Sequence, residues 1–215
     1  MTTGALFDCV GRTPLIHLAR LSRALGRDVY GKAEHLNPGG SVKDRAARGM
    51  ILDAEQRGLL APGGTIVEGT AGNTGIGLAV LGQSRGYRVV IVMPDNQAPE
   101  KFEFLAALGA EVIAVKATKF ADPAHFYHTA QRVAAERGAF WANQFENPAN
   151  AEAHYTSTGP ELWADLEGRI DALAMSSGTG GSIGGTSRYL KEQDPKVRVV
   201  LLDPLGSGLS RWFHT

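Results

Sequence analysis

The chain has 215 residues, 43% of them hydrophobic, with 22 Lys plus Arg balanced by 22 Asp plus Glu. No basic stripe points to nucleic acid and no apolar run is long enough for a membrane span. The start MTTGALFDCVGR lacks the basic and apolar parts of a secretion signal, so a globular cytosolic protein acting on a small molecule is expected. Cys9 is the single cysteine, which excludes an intrachain disulfide and a cysteine-based zinc site.

In chain order, the spacing of apolar residues predicts a helix over 18–24, a strand over 28–33, a helix over 42–57, a strand over 65–68 and a helix over 75–85. A strand over 88–93, a helix over 100–108, a strand over 111–115, a helix over 123–137 and a strand over 139–141 follow. The rest reads as a helix over 155–165, a strand over 172–175, a helix over 182–192 and a strand over 197–202. This alternation is α/β grammar. The run Val89-Val90-Ile91-Val92 is apolar without alternation, which predicts burial on both faces of a mainly parallel sheet flanked by helices. Ligands of such sheets bind beyond the carboxyl ends of the strands.

Three glycine-rich stretches stand where a strand hands over to a helix. In Asn37-Pro38-Gly39-Gly40-Ser41-Val42-Lys43-Asp44-Arg45, Ser41 is suited to capping the helix that follows, and Lys43 falls near its start. The positive end of a helix disfavours a cation and favours a neutral amine. Two readings stay open on these residues, a solvated surface lysine and an amine held ready for Schiff-base chemistry.

The second stretch runs from Glu68 to Gly77, with Thr70, Ala71, Asn73 and Thr74 around a helix start. Its N–H groups, hydroxyls and amide suit a carboxylate or phosphate, although a plain turn remains the alternative. The third runs from Ser176 to Gly185. Gly178, Gly180 and Gly184 do not have the spacing of the dinucleotide fingerprint, so a phosphate nest with Thr179 and Ser182 as added donors is the better reading. Gly26 to Ala33 nearly matches a nucleoside-triphosphate loop, but Ala33 stands where a hydroxyl would hold magnesium. The six histidines form no metal-binding pair, and His125 with His128 read as the polar face of a helix.

Together, and in this order, Gly11-Arg12-Thr13-Pro14-Leu15, Asn37 to Arg45, Gly72 to Ala79, Leu108-Gly109-Ala110-Glu111-Val112, Asn143-Gln144-Phe145, Thr158-Gly159-Pro160-Glu161 and Gly178 to Ser182 resemble the cysteine synthase family. These are fold-type II pyridoxal phosphate enzymes, similar to tryptophan synthase β, and include cystathionine β-synthase. The likeness covers nearly the whole chain. It implies a two-lobed fold, with a smaller mobile lobe over 37–146 and a larger cofactor-phosphate lobe made of 12–36 and 147–215 that is incomplete at its carboxyl end. A homodimer is also implied.

The same resemblance implies pyridoxal 5′-phosphate on Lys43 as the Schiff-base lysine, with Asn73 at the 3′-oxygen of its ring. Gly178, Thr179, Gly180, Gly181 and Ser182 would lie around its phosphate, and Thr70, Ala71, Thr74 and Gln144 around the substrate carboxylate. The implied activity is O-acetylserine sulfhydrylase, in which L-cysteine forms by β-replacement with sulfide or another thiol. Two departures stand out. Ala71 takes the place of a serine usual in cysteine synthases, as in a subgroup that includes cysteine desulfhydrases, and the family continues past the point where this chain stops. A desulfhydrase, a cystathionine β-synthase-like lyase and an inactive remnant are therefore kept as alternatives.

Overall fold

A computed structural model describes residues 5–209. After a 3-10 turn (Leu6–Cys9) come the short strand β1 (Leu15–His17), helix α1 (Ala19–Leu25) and strand β2 (Tyr30–Lys32), and β1 and β2 pair antiparallel. The strand expected over 28–33 thus lies outside the parallel sheet. Its partner β1 is three residues long, too short to announce itself by period.

The central unit alternates α2 (Lys43–Gln56), β3 (Thr65–Gly69), α3 (Asn73–Ser84), β4 (Arg88–Pro94), α4 (Pro99–Ala107), β5 (Glu111–Val115), α5 (Phe126–Glu136) and β6 (Phe140–Trp141). Its four strands are all parallel, in the order β5-β4-β3-β6. Successive side chains of a strand face opposite sides. Ile66, Ile91 and Met93 pack with Met50, Ile51, Leu78 and Leu81 of α2 and α3, while Val67, Val90 and Val92 pack with Ala130 and Ala134 of α5. The unalternated run in β4 is accordingly buried on both faces.

The remainder comprises α6 (Ala149–Ala153), a π turn (His154–Thr158), α7 (Gly159–Asp165), β7 (Ala172–Ser176), α8 (Gly181–Gln193) and β8 (Arg198–Leu202). The helix expected over 155–165 is therefore two pieces preceded by a third. Pro160 is tolerated because it falls in the first turn of α7, where its missing N–H costs no helical bond. β7 and β8 pair in parallel. They are far less covered than β4, with Val200 44% and Leu202 54% exposed.

The two halves are fastened by an ionic cluster. Arg45 of α2, 1% exposed along its side chain, holds Glu161 of α7 through two hydrogen bonds of 2.7 and 2.8 Å and Glu34 through two more of 2.7 and 2.8 Å. Thr13 donates to Glu34 at 2.7 Å, and Lys32 reaches Glu161 at 2.9 Å. Burial pushes the Glu161 carboxyl up, but hydrogen bonds from Arg45, the Arg12 N–H and Lys32 outweigh it and hold the group at about 2.

Candidate functional site

Lys43 is the first residue of α2. Ser41, expected as the helix cap, accepts a hydrogen bond of 3.2 Å from the Lys43 N–H, while Val42 occupies the cap position itself. The Lys43 ammonium is lowered from its ordinary value, in the direction expected, but burial is the cause. The neighbouring Asp44 is fully buried, accepts from the Gly39 N–H at 2.5 Å, and is pushed up to about 6, chiefly by burial.

The first turn of α2 packs on the first turns of α3. A Cβ at Gly77 would stand 3.3 Å from the Asp44 Cα and 3.2 Å from the Ala47 Cβ, so glycine permits the close approach that brings the two helix starts together. Asn73 opens α3 and is exposed. The preceding turn has the form of an anion cup. Gly72 N–H donates to Thr70 Oγ1 at 3.2 Å, which fills an acceptor site on that hydroxyl and leaves its hydrogen for a ligand. Ala71 offers backbone only, and Lys101 of α4 donates to its carbonyl at 3.2 Å.

Thr74 and Gln144 are buried, and their side chains meet at 2.5 Å. Gln144 in turn reaches the buried carboxyl of Glu68, at 3.1 Å from its side-chain amide and 3.3 Å from its backbone N–H. This places three of the four expected carboxylate-site residues, Thr70, Thr74 and Gln144, around the carboxyl end of β3, with Ala71 between the two threonines. Glu68 is a participant that the sequence reading did not single out.

The third stretch forms the entry to α8. Gly180 has φ +84°, in the left-handed region that glycine enters without strain, and a Cβ at Gly178 or Gly180 would meet no atom within 4 Å. No packing fills the space beside these glycines, which is what a cradle for a ligand requires. Thr179 Oγ1 accepts from Asn150 Nδ2 at 2.9 Å and from the Gly181 N–H at 3.4 Å, so its own hydrogen is available to an anion. Ser182 Oγ lies 3.0 Å from His154 Nε2, and His154 Nδ1 lies 2.8 Å from Thr158 Oγ1.

Three residues absent from the expected set knit the stretches together. Asn150 joins the Gln144 carbonyl, at 2.8 Å, to Thr179. His154 is fully buried. Its imidazole is lowered to about 4 by burial first and then by the positive charge of Arg45, with Lys43 contributing in the same sense, and the ring joins the π turn to the α8 turn through Thr158 and Ser182. Glu68 completes the trio. A sequence signal existed only for Asn150, which follows Asn147-Pro148 as a polar residue on an otherwise alanine-rich segment. His125 and His128 stand at the start of α5, half-buried in an aromatic cluster with Phe120. His214 lies outside the described residues.

Fold and site define a small-molecule α/β protein with a desolvated lysine at one helix start and anion-ready turns at two others. A family model described as "Pyridoxal-phosphate dependent enzyme" matches residues 6–212, and the chain belongs to that family. It is 54% identical over 213 residues to cysteine synthase 1 of Neurospora crassa, covering 98% of this chain and 56% of that protein. It is 46% identical to cystathionine beta-synthase of Apis mellifera, covering 95% of this chain and 41% of that protein. The crystal structure of an O-ureido-L-serine synthase superimposes with TM-score 0.91 at 39% identity, over 98% of this chain and 66% of that one. The chain thus spans about half the length of the curated relatives it matches. The residues present fit the family's cofactor in its two demands, a lysine whose ammonium form is disfavoured by burial and an open glycine turn with a hydroxyl donor for a phosphate.

Proposed function

We propose that this chain forms the cofactor- and substrate-binding part of a cysteine synthase that makes L-cysteine by β-replacement with sulfide. The observation that carries the reading is the hydrogen-bonded path from Thr74 through Gln144 and Asn150 to Thr179, which holds two anion-ready turns in fixed relation beside Lys43. The similarity to cysteine synthases supports the same substrate class.

In this reading the α8 turn, with Gly178, Thr179, Gly180, Gly181 and Ser182, would hold the cofactor phosphate at the positive end of the helix. Asn73 would meet the ring oxygen and Lys43 would carry the cofactor. When bound, pyridoxal phosphate supplies an electron sink for charge developing at the substrate α-carbon. Thr70, the backbone at Ala71, Thr74 and Gln144 would fix the substrate carboxylate. Burial lowers the Lys43 ammonium from its ordinary value, which makes Nζ a readier acceptor for the α-proton. The tautomer of His154 that carries its hydrogen on Nε2 donates to Ser182 and frees the serine hydroxyl for the phosphate.

A second reading rests on Ala71. A carboxylate turn short of one hydroxyl favours elimination from cysteine over O-acetylserine capture, as in a desulfhydrase. We also infer that the segment 37–146 moves as a smaller lobe, that the protein is cytosolic, and that it pairs as a homodimer. The last is supported by apolar residues left exposed on the amino-terminal segment, among them Ile16, Leu21, Leu25 and Tyr30.

The test begins with the visible absorbance of the chain after incubation with pyridoxal phosphate and gel filtration. Retention of a lysine-bound band in the wild type and its loss in Lys43→Ala are expected. A folded wild type without the band would refute cofactor binding by this chain. Cysteine formation from O-acetylserine and sulfide is then assayed beside sulfide release from cysteine. Activity in the second assay alone would replace the synthase with the desulfhydrase.

A further inference from the structure

Glu68 ends up beneath the Thr70–Thr74 turn at 1% exposure, and among the described residues no ion pair compensates it. Its partners are N–H donors of one segment. Oε2 faces the Gln144 backbone N–H at 3.3 Å, Oε1 faces the Gln144 side-chain amide at 3.1 Å, and the Asn143 backbone N–H adds a third. A buried carboxylate without a paired cation takes up a proton rather than bear the cost of desolvation. Burial pushes Glu68 up to about 8 against the lowering effect of those donors. Tyr127 of α5, itself raised by burial and by Glu146, is the titratable neighbour on which Glu68 bears, and it brings no positive charge.

The position of the acid hydrogen follows from the donors. Oε2 faces a backbone N–H, which can only donate, so the hydrogen belongs on Oε1, facing the Gln144 side chain. That amide must then turn its oxygen to Glu68 and its NH2 to Thr74, an exchange of the two ends in which the 2.5 Å Thr74–Gln144 contact lengthens to an ordinary N–H···O distance. Thr74 Oγ1 accepts from Gln144, and the Thr74 hydrogen is left for the cleft. With Glu68 ionised the chain runs the other way. Gln144 donates to the carboxylate, the Thr74 hydroxyl donates to Gln144, and Thr74 turns only lone pairs outward.

We propose that Glu68 is a positioning residue whose acid form sets the direction of the Gln144–Thr74 hydrogen-bond chain, so that the Thr74 hydroxyl donates to the carboxylate of a bound amino acid. This rests on the reading of the Thr70–Thr74 turn as the substrate-carboxylate site. Glu68 touches no reacting atom and acts through Gln144.

The experiment uses the 215-residue chain loaded with pyridoxal phosphate and carries two readouts. Carbon-13 titration of glutamate side chains, with Glu68→Gln assigning the resonance, is expected to place the Glu68 midpoint near 8, with the Gln144 NH2 protons shifting on the same curve. A midpoint in the ordinary carboxylate range, or a Gln144 side chain indifferent to pH, overturns the proposal. The Gln144 titration is read in the wild type, so the test stands even if Glu68→Gln does not fold.

The second readout is affinity for propionate, a carboxylate without an amine, followed by chemical-shift titration. It is expected to fall by up to about tenfold per pH unit above the midpoint in the wild type. It should not fall in Glu68→Gln, whose NH2 takes the place of the acid hydrogen. A flat wild-type profile while Glu68 titrates overturns the proposal. Absence of propionate binding at every pH, with both titrations as expected, refutes the carboxylate-site reading and leaves the direction of the chain established.

Discussion

The side-chain amide of Asn150 donates to the Thr179 hydroxyl at 2.9 Å while donating to the Gln144 carbonyl at 2.8 Å. One short helix thereby holds a turn of the β3 end and a turn of α8 at a fixed spacing. Asn150→Ala removes both bonds from a buried position and is expected to cost about 1–3 kcal/mol, the scale of leaving buried polar partners unsatisfied. Cofactor retention should weaken as well. Urea unfolding and equilibrium dialysis of pyridoxal phosphate check the two effects, and unchanged retention would show that the α8 turn holds its shape without Asn150.

Arg45→Ala would strand the Glu34 and Glu161 carboxylates beside one another. Breaking a buried pair in this way is expected to destabilise the fold by about 3–5 kcal/mol. Glu161 also gives an acid limb. Its folded value, about 2, lies below that of a free carboxyl, so its stabilising contribution is complete above about 4.5 and disappears as pH falls toward 2. Stability measured between pH 5 and 2 by urea titration should fall less in Glu161→Gln than in the wild type, whose higher starting stability is lost on this limb.

His154 produces a loss at milder acidity. Its imidazole is free at 6.5 and held at about 4 in the fold, so the unfolded chain binds the proton first. The contribution is present above about 6.5 and lost between there and about 4, to an upper magnitude of about 3 kcal/mol. Asp44, raised to about 6, works with the opposite sign over part of the same window. The difference between wild type and His154→Gln, taken at each pH, isolates the histidine, and a difference that does not change with pH would mean that the fold leaves the proton affinity of His154 unaltered.

Most of this architecture was legible in the chain. β4 announced itself because both its faces are apolar, and β5 was bounded correctly because turns flank it on each side. The segment 149–158 was not legible, because α6 passes into a π turn whose His154 finds Thr158 one turn on and Ser182 twenty-eight residues away. Glu68 reads as the last residue of a strand, where the second glycine-rich stretch begins. A glutamate at a strand end reads as solvated, and its burial depends on Gln144, 76 residues distant, so no local pattern carries it. The place of Lys43 at a helix start is legible, whereas the burial that lowers its ammonium is a tertiary property with no local pattern.

The outer face of β7 and β8 is the fold's adhesive surface. Val200 and Leu202 present apolar side chains on one face of an edge strand of a two-stranded sheet, a template for association. Val200→Lys with Leu202→Lys is expected to raise the concentration at which the chain stays monodisperse by sedimentation velocity. The visible cofactor band should be retained, because β8 contributes no residue to the site.

Helix α2 runs between two seams of small residues. Gly77 of α3 lies against one flank, and on the other a Cβ at Gly49 would come within 2.5 Å of the Ala153 Cβ. A shaft seated this closely on both sides cannot be nudged toward α3 without parting from α6. Any movement that leaves both seams intact therefore carries Lys43 and the Thr70–Thr74 turn together, at the spacing the α2–α3 seam sets.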